Sequence, residues 1–183
     1  MIGVKNHSII VKLLAHVVYK YLYTYGKNIF IVKYNDMLIY MDCCCLNRPN
    51  DDQTQDKIRI ESEVIIAILY KCFYNSWKLM GSDVLEYEIL KTPDIDKMNK
   101  TLNLYKINEE NIEINNVIIE RAKELQKYGL KPIDSLHFAS AEYRNVNVLL
   151  TVDKDFMNNS KKIVSALNIE NPIIWFMEEI ENG

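Results

Sequence analysis

Two neighbouring stretches carry the clearest chemical signal in this chain. The first is Lys131-Pro132-Ile133-Asp134-Ser135-Leu136-His137-Phe138-Ala139-Ser140-Ala141-Glu142, and the second is Asn147-Val148-Leu149-Leu150-Thr151-Val152-Asp153-Lys154-Asp155-Phe156. In the first an acid opens a helix; in the second an apolar strand runs out into another acid. Two carboxylates delivered to one end of a sheet by different elements suit a divalent cation. Asp42, which ends the apolar run Met37 to Met41, and Glu88, on a helix face shared with Leu85, fit the same geometry. In open α/β sheets the functional crevice lies beyond the carboxyl ends of the strands.

Singly, each acid has a plainer explanation: Asp134 complements a helix dipole, Asp153 is an N-cap, and Glu88 is a solvated helix acid. Jointly they demand more. Carboxylates gathered within several ångströms repel by about 4 kcal/mol per close pair at an effective dielectric near 20. Such a cluster requires a cation or raised pKa values. An all-oxygen set selects Mg²⁺ or Mn²⁺ over zinc, and such ions activate water for phosphodiester hydrolysis.

The elements that must position these acids alternate. Met37 to Met41 reads as a buried parallel strand, and Asn47 to Asp56 as a loop. A helix begins at Lys57, with Ile58, Val64, Ile65, Ile68 and Leu69 on one face. Trp77 to Met80 is a second strand, Gly81 turns the chain, and Ser82 caps a helix that yields before Pro93. A helix over Met98 to Ile107, a short strand at Asn111 to Ile114 and a helix from Val117 to Tyr128, closed by Gly129, follow. Pro132 suits a first helical turn, and that helix runs to about Arg144. Val146 to Val152 is the best strand; Ile163 to Ile169 reads as a helix end and Pro172 to Phe176 as an edge strand. The pattern predicts an α/β fold with a central, mostly parallel sheet.

At 183 residues, 49% hydrophobic and 26% charged, the chain has the composition of one soluble domain with a full core. A net charge of −3 offers no global attraction to nucleic acid, so polyanion binding needs a local basic patch. Arg48, Arg59, Lys154, Lys161 and Lys162 are the cations placed to rim such a crevice. Cys43, Cys44, Cys45 and Cys72 have neither disulfide-framework nor zinc spacing, and read as buried thiols at a strand end in a reducing cytoplasm. Residues 1–36 form an N-terminal extension ahead of a domain over 37–180. The extension is too interrupted by Lys12, His16 and Lys20 to be a signal or a membrane span. It reads as a partner-binding or membrane-surface segment, an extra helix, or codons upstream of the true start at Met37, the last being preferred.

These motifs resemble the PIN (PilT N-terminus) domain family, which includes VapC-type toxins. Ile39-Tyr40-Met41-Asp42 resembles the family's first strand and its leading Asp. Ser82 with Glu88-Ile89 resembles its S-x-x-x-x-x-E helix. Ile133 to Ala139 is close to D-A-x-H-x-A, and Leu149 to Phe156 to L-x-T-x-D-x-D-F. The resemblance runs from Met37 to Phe176. It implies a three-layer α/β/α domain and a Mg²⁺- or Mn²⁺-dependent endoribonuclease held in check by an antitoxin, with a homodimer a further expectation and no membrane partner. It implies Asp42, Glu88, Asp134 and Asp153 as metal-holding catalytic residues, with Ser82, His137, Thr151 and Asp155 supporting them. Of these, His137 reads as a hydrogen-bonded helix residue rather than a general base, since a metal already lowers the pKa of water. Glu61 and Glu63, unable to share one helix face, read as supporting or surface acids.

One departure weakens the metal site. Cys43 and Cys44 stand where the family usually places Ser, Thr or Asn, and a thiol is a poor partner for Mg²⁺. That leaves two alternatives: a catalytically weak PIN-like module that binds RNA or protein, and a phosphatase on a related fold, against which the missing Gly-rich phosphate loop argues.

Overall fold

The computed structural model describes residues 37–74 and 76–182, which fall within one compact unit spanning 35–183. The expectations for residues 1–36 lie outside the described residues. The elements are β1 (Leu38–Met41), α1 (Cys43–Asn47), a 3₁₀ turn (Arg48–Asn50), α2 (Asp56–Phe73), β2 (Lys78–Ser82), α3 (Asp83–Leu90), α4 (Ile95–Tyr105) and β3 (Glu110–Ile112). Then come α5 (Asn116–Gln126), α6 (Pro132–Arg144), β4 (Val148–Leu150), α7 (Lys154–Ser160), β5 (Asn168–Glu170) and α8 (Pro172–Asn182). Among the described residues no helix is long and apolar enough to cross a membrane.

The five strands pair in the order β3-β2-β1-β4-β5, every neighbour parallel. Side chains alternate across this sheet, and the sequence sorts accordingly. Ile39, Met41, Leu79, Val148 and Leu150 face one core, shared with Ile65 and Ile68 of α2 and Trp175 and Phe176 of α8. Tyr40, Met80 and Leu149 face the other, shared with Ile118 and Leu125 of α5, Phe138 of α6 and Phe156 of α7. Strands covered on both sides read as unbroken apolar runs, which is why β1 and β4 are legible. The result is the expected three-layer α/β/α arrangement. A bidentate ion pair, Arg121 Nε to Glu142 Oε2 at 2.6 Å and Nη2 to Oε1 at 3.1 Å, ties α5 to α6 and so fixes the helix bearing Asp134 and His137.

Two local expectations are corrected and a third gains detail. Gly81 lies inside β2, not at a turn; a Cβ there would meet Asn108 Nδ2 at 2.6 Å and the Tyr105 hydroxyl at 2.7 Å, so close packing explains the glycine. The cysteine run follows the strand as the short helix α1, because Asp42 caps it through the Cys45 amide. The edge strand is Asn168–Glu170, while Pro172 to Phe176 is helical. Pro172 fits a first helical turn, and Asn171 Oδ1 accepts the Ile173 amide at 2.9 Å, so the chain begins a helix there. By contrast, Gly129 has φ of 92° beyond the end of α5, a conformation that favours glycine.

Candidate metal centre

β1 and β4 are adjacent, and each ends in an acid that turns the chain into a helix. Asp42 follows β1, its amide donating to the Leu150 carbonyl of β4 at 3.2 Å. Its carboxylate is buried and accepts the Cys45 amide at 3.0 Å; the Cys44 thiol donates to its two oxygens at 2.9 and 3.0 Å. Burial raises its pKa, against the opposing pull of hydrogen bonds from Cys44 and Thr151. Asp153 follows β4, and its Oδ1 accepts the amides of Asp155 at 2.7 Å and Phe156 at 3.2 Å. Desolvation pushes this carboxyl up, but those amides and Lys131, 3.5 Å from Oδ2, prevail and hold it below the usual range.

Asp134 stands in the first turn of α6. Burial raises its pKa; Lys131 opposes this, while the charges of Asp153 and Asp42 add to it. Three acids from three elements therefore share one field beyond the sheet. Glu88 approaches from α3 through a buried polar chain. His137 Nε2 lies 2.9 Å from Glu88 Oε2, His137 Nδ1 2.6 Å from the Tyr40 hydroxyl, and that hydroxyl 2.6 Å from Ser82 Oγ. Ser82 Oγ also accepts the Leu85 amide at 3.1 Å, capping α3. Every member is satisfied when Ser82 donates to Tyr40, Tyr40 to Nδ1, and Nε2–H to Glu88. This chain sets the reach of Glu88 and fits the hydrogen-bonded role expected of His137.

Thr151 is fully buried between the strand ends; its Oγ1 accepts the Asp153 amide at 3.0 Å and lies 3.5 Å from Cys44 Sγ. Asp155 is exposed, its amide spent on Asp153. Among the candidate phosphate binders, Arg48 is directed inward: its Nε lies 3.0 Å from the buried Glu61, off the hydrogen-bonding direction, and its Nη1 donates to Asp51 at 3.1 Å. Glu61 is thus the partner of a buried ion pair, while Glu63 is exposed. Arg59 is exposed and paired with Asp56 at 2.8 Å. Lys154 and Lys161 are exposed at the two ends of α7, beside Lys162.

Do these residues fit a divalent ion? No three of the four acids have ligand atoms within 4.8 Å of one another; among the described residues the set that meets this limit is Asp42, Cys44 and Cys45. Even so, the charges of Asp153 and Asp42 both raise the Asp134 carboxyl, while Lys131 and His137 oppose them, an arrangement that a cation would relieve. The acids supply the oxygen donors that a divalent ion takes, with the Cys44 thiol pressed against those of Asp42. Two participants escaped the sequence: Tyr40, hidden in an apolar run, and Lys131, whose only signal was its place before Pro132.

A parallel sheet with acids gathered beyond its strand ends defines an α/β protein with an acidic strand-end face. The family model for the PIN domain matches residues 57–162, more than half of the chain, and the chain belongs to that family. The match includes Glu88, Asp134 and Asp153; β1 and Asp42 precede it, but the sheet places β1 at its centre. The crystal structure of VapBC2 from Rickettsia felis bound to a DNA fragment from their promoter is similar at 18% identity and a TM-score of 0.47, covering 74% of this chain and 98% of that one. No curated protein matches the chain.

Proposed function

We propose that this chain is a divalent-metal-dependent endoribonuclease. The observation that supports it is the gathering of Asp42, Asp134 and Asp153 at one end of the sheet, where the charges of Asp153 and Asp42 both raise the Asp134 carboxyl, with Glu88 held by a partly buried hydrogen bond to His137. Asp42, Glu88, Asp134 and Asp153 would hold Mg²⁺ or Mn²⁺, which supplies charge stabilisation for in-line attack of water on a phosphodiester. Around it the chain's own residues act: Tyr40 and His137 orient Glu88, Thr151 fixes the turn that presents Asp153, and Lys154 and Lys161 meet backbone phosphates. Single-stranded or loop RNA suits a site that must be reached by exposed backbone. A cytoplasmic setting, an antitoxin-type protein partner and self-association as a dimer belong to the same reading through the family resemblance. Copurification with the product of a neighbouring gene, and the mass in solution, test the last two.

The test is Mn²⁺-dependent cleavage of single-stranded RNA by Asp134→Asn and Asp153→Asn. Both variants should fold and lose cleavage; unchanged cleavage in either sinks the mechanism. The Cys44 thiol on both oxygens of Asp42 favours a second reading, a binding module with a weakened centre. That module would retain RNA without cutting it at any concentration of Mn²⁺.

A further inference from the structure

We propose that Lys131 is a substrate-contacting residue whose ammonium seats a backbone phosphate of single-stranded RNA against the acid end of the sheet. The inference rests on the reading of that end as a metal-dependent ribonuclease site, and it names the contact that draws a polyanion there. Lys131 stands in extended conformation just before α6, and Asp134 follows three residues later in the first turn of that helix. Its Nζ lies 3.5 Å from Asp153 Oδ2, so it links the helix that bears one acid to the strand end that bears another. The charges acting on it are those of Asp153 first, then Asp134 and Asp155.

This pair is a loose one. Its 3.5 Å exceeds the about 2.7–2.9 Å of a charge-assisted hydrogen bond, and the lysine side chain is 61% exposed. Asp153 does not depend on it, because Oδ1 already accepts the Asp155 and Phe156 amides. An exposed pair of this kind contributes little, so the ammonium can exchange Asp153 for a phosphate oxygen. Other cations are more firmly held. Arg48 is bound to Glu61 and Asp51 with its side chain 17% exposed, Arg59 lies between Asp56 and Glu63, and Lys97 is 2.6 Å from Asp51. A phosphodiester brought to Asp42, Asp134 and Asp153 adds negative charge where there is already an excess. A compact ammonium on a flexible stem at the exposed edge answers that charge without competing for the acids.

Because Lys131 stands beside carboxylates, its removal should act with opposite signs on RNA and on metal. Binding of a labelled single-stranded oligouridylate to the full chain is read by fluorescence anisotropy, with Ca²⁺ replacing Mn²⁺ to hold back cleavage. Lys131→Met should weaken binding about fivefold, equally for oligoadenylate, and lower the salt slope by about 0.7, the loss of one phosphate contact. Lys131→Arg should keep most of the affinity. Titrated calorimetrically with Mn²⁺ in the absence of RNA, Lys131→Met should bind the ion about twofold to fivefold more tightly, because a repelling charge is gone. Tighter Mn²⁺ binding with unchanged RNA binding overturns the proposal and leaves Lys131 as the counter-ion of Asp153. Weaker binding of both RNA and Mn²⁺ also overturns it, marking a structural role. If wild type takes up no Mn²⁺ while RNA binding still falls in Lys131→Met, the phosphate contact stands and the nuclease reading fails.

Discussion

Asp42 and Asp153 occupy equivalent places: each ends one of two adjacent parallel strands, and each caps the helix that follows. Their electrostatics are opposite. Asp42 is sealed beneath a thiol and raised by burial, whereas Asp153 is partly open, satisfied by two amides and a lysine, and lowered. One topological position thus yields a strained carboxylate and a relaxed one. The strained end is the one with something to gain from a cation.

The comparison breaks in graded ways. The largest effect is on cleavage, where Asp42→Asn and Asp153→Asn should each cost roughly 100-fold or more, the several kcal/mol that metal-ion charge stabilisation supplies. Equal losses mean that both ends serve one centre; a loss at one end alone would split them. Next comes the buried chain behind the strained end. Tyr40→Phe deprives His137 and Ser82 of a partner and should lower stability by about 1–3 kcal/mol, read from the denaturant midpoint.

A smaller effect carries the sign of the comparison. Asn caps as well as Asp, so Asp42→Asn removes charge but not the cap. A carboxyl with a raised folded pKa contributes stability that is fully present below the ordinary carboxyl range and lost as pH rises through the raised value. In chelator, Asp42→Asn should therefore melt a few degrees above wild type at neutral pH, and the gain should vanish in acid. Asp153, lowered, contributes stability present above the ordinary range and lost as pH falls through its folded value. Asp153→Asn should melt below wild type at neutral pH, and the gap should close in acid. Smallest is Lys131→Met: the loss of an exposed, solvent-screened partner of Asp153 should leave the denaturant midpoint unchanged.

Much of this was legible in the sequence, for definite reasons. β1 and β4 are apolar because both faces are covered, and α6 was marked by Pro132 at its start. The α2 and α5 stripes follow from amphipathic periodicity. Asp42, Asp134 and Asp153 could be named because strand ends and helix starts are local features, whereas Glu88, inside α3, rested on its helix face and the family resemblance. What stayed hidden is non-local. Tyr40 meets His137 only when β1 packs against α6, and Arg48 finds Glu61 only when the 3₁₀ turn folds on α2. Pro172 to Phe176 misled because a short apolar run reads as strand until its capping Asn171 is weighed.

The most direct test of the central claim is calorimetric titration of Mn²⁺ into the wild-type chain and into Asp134→Asn. The account predicts saturable binding by wild type that is lost in the variant while its fold, by circular dichroism, is unchanged. Equal binding by both, or none by wild type at millimolar Mn²⁺, would contradict it.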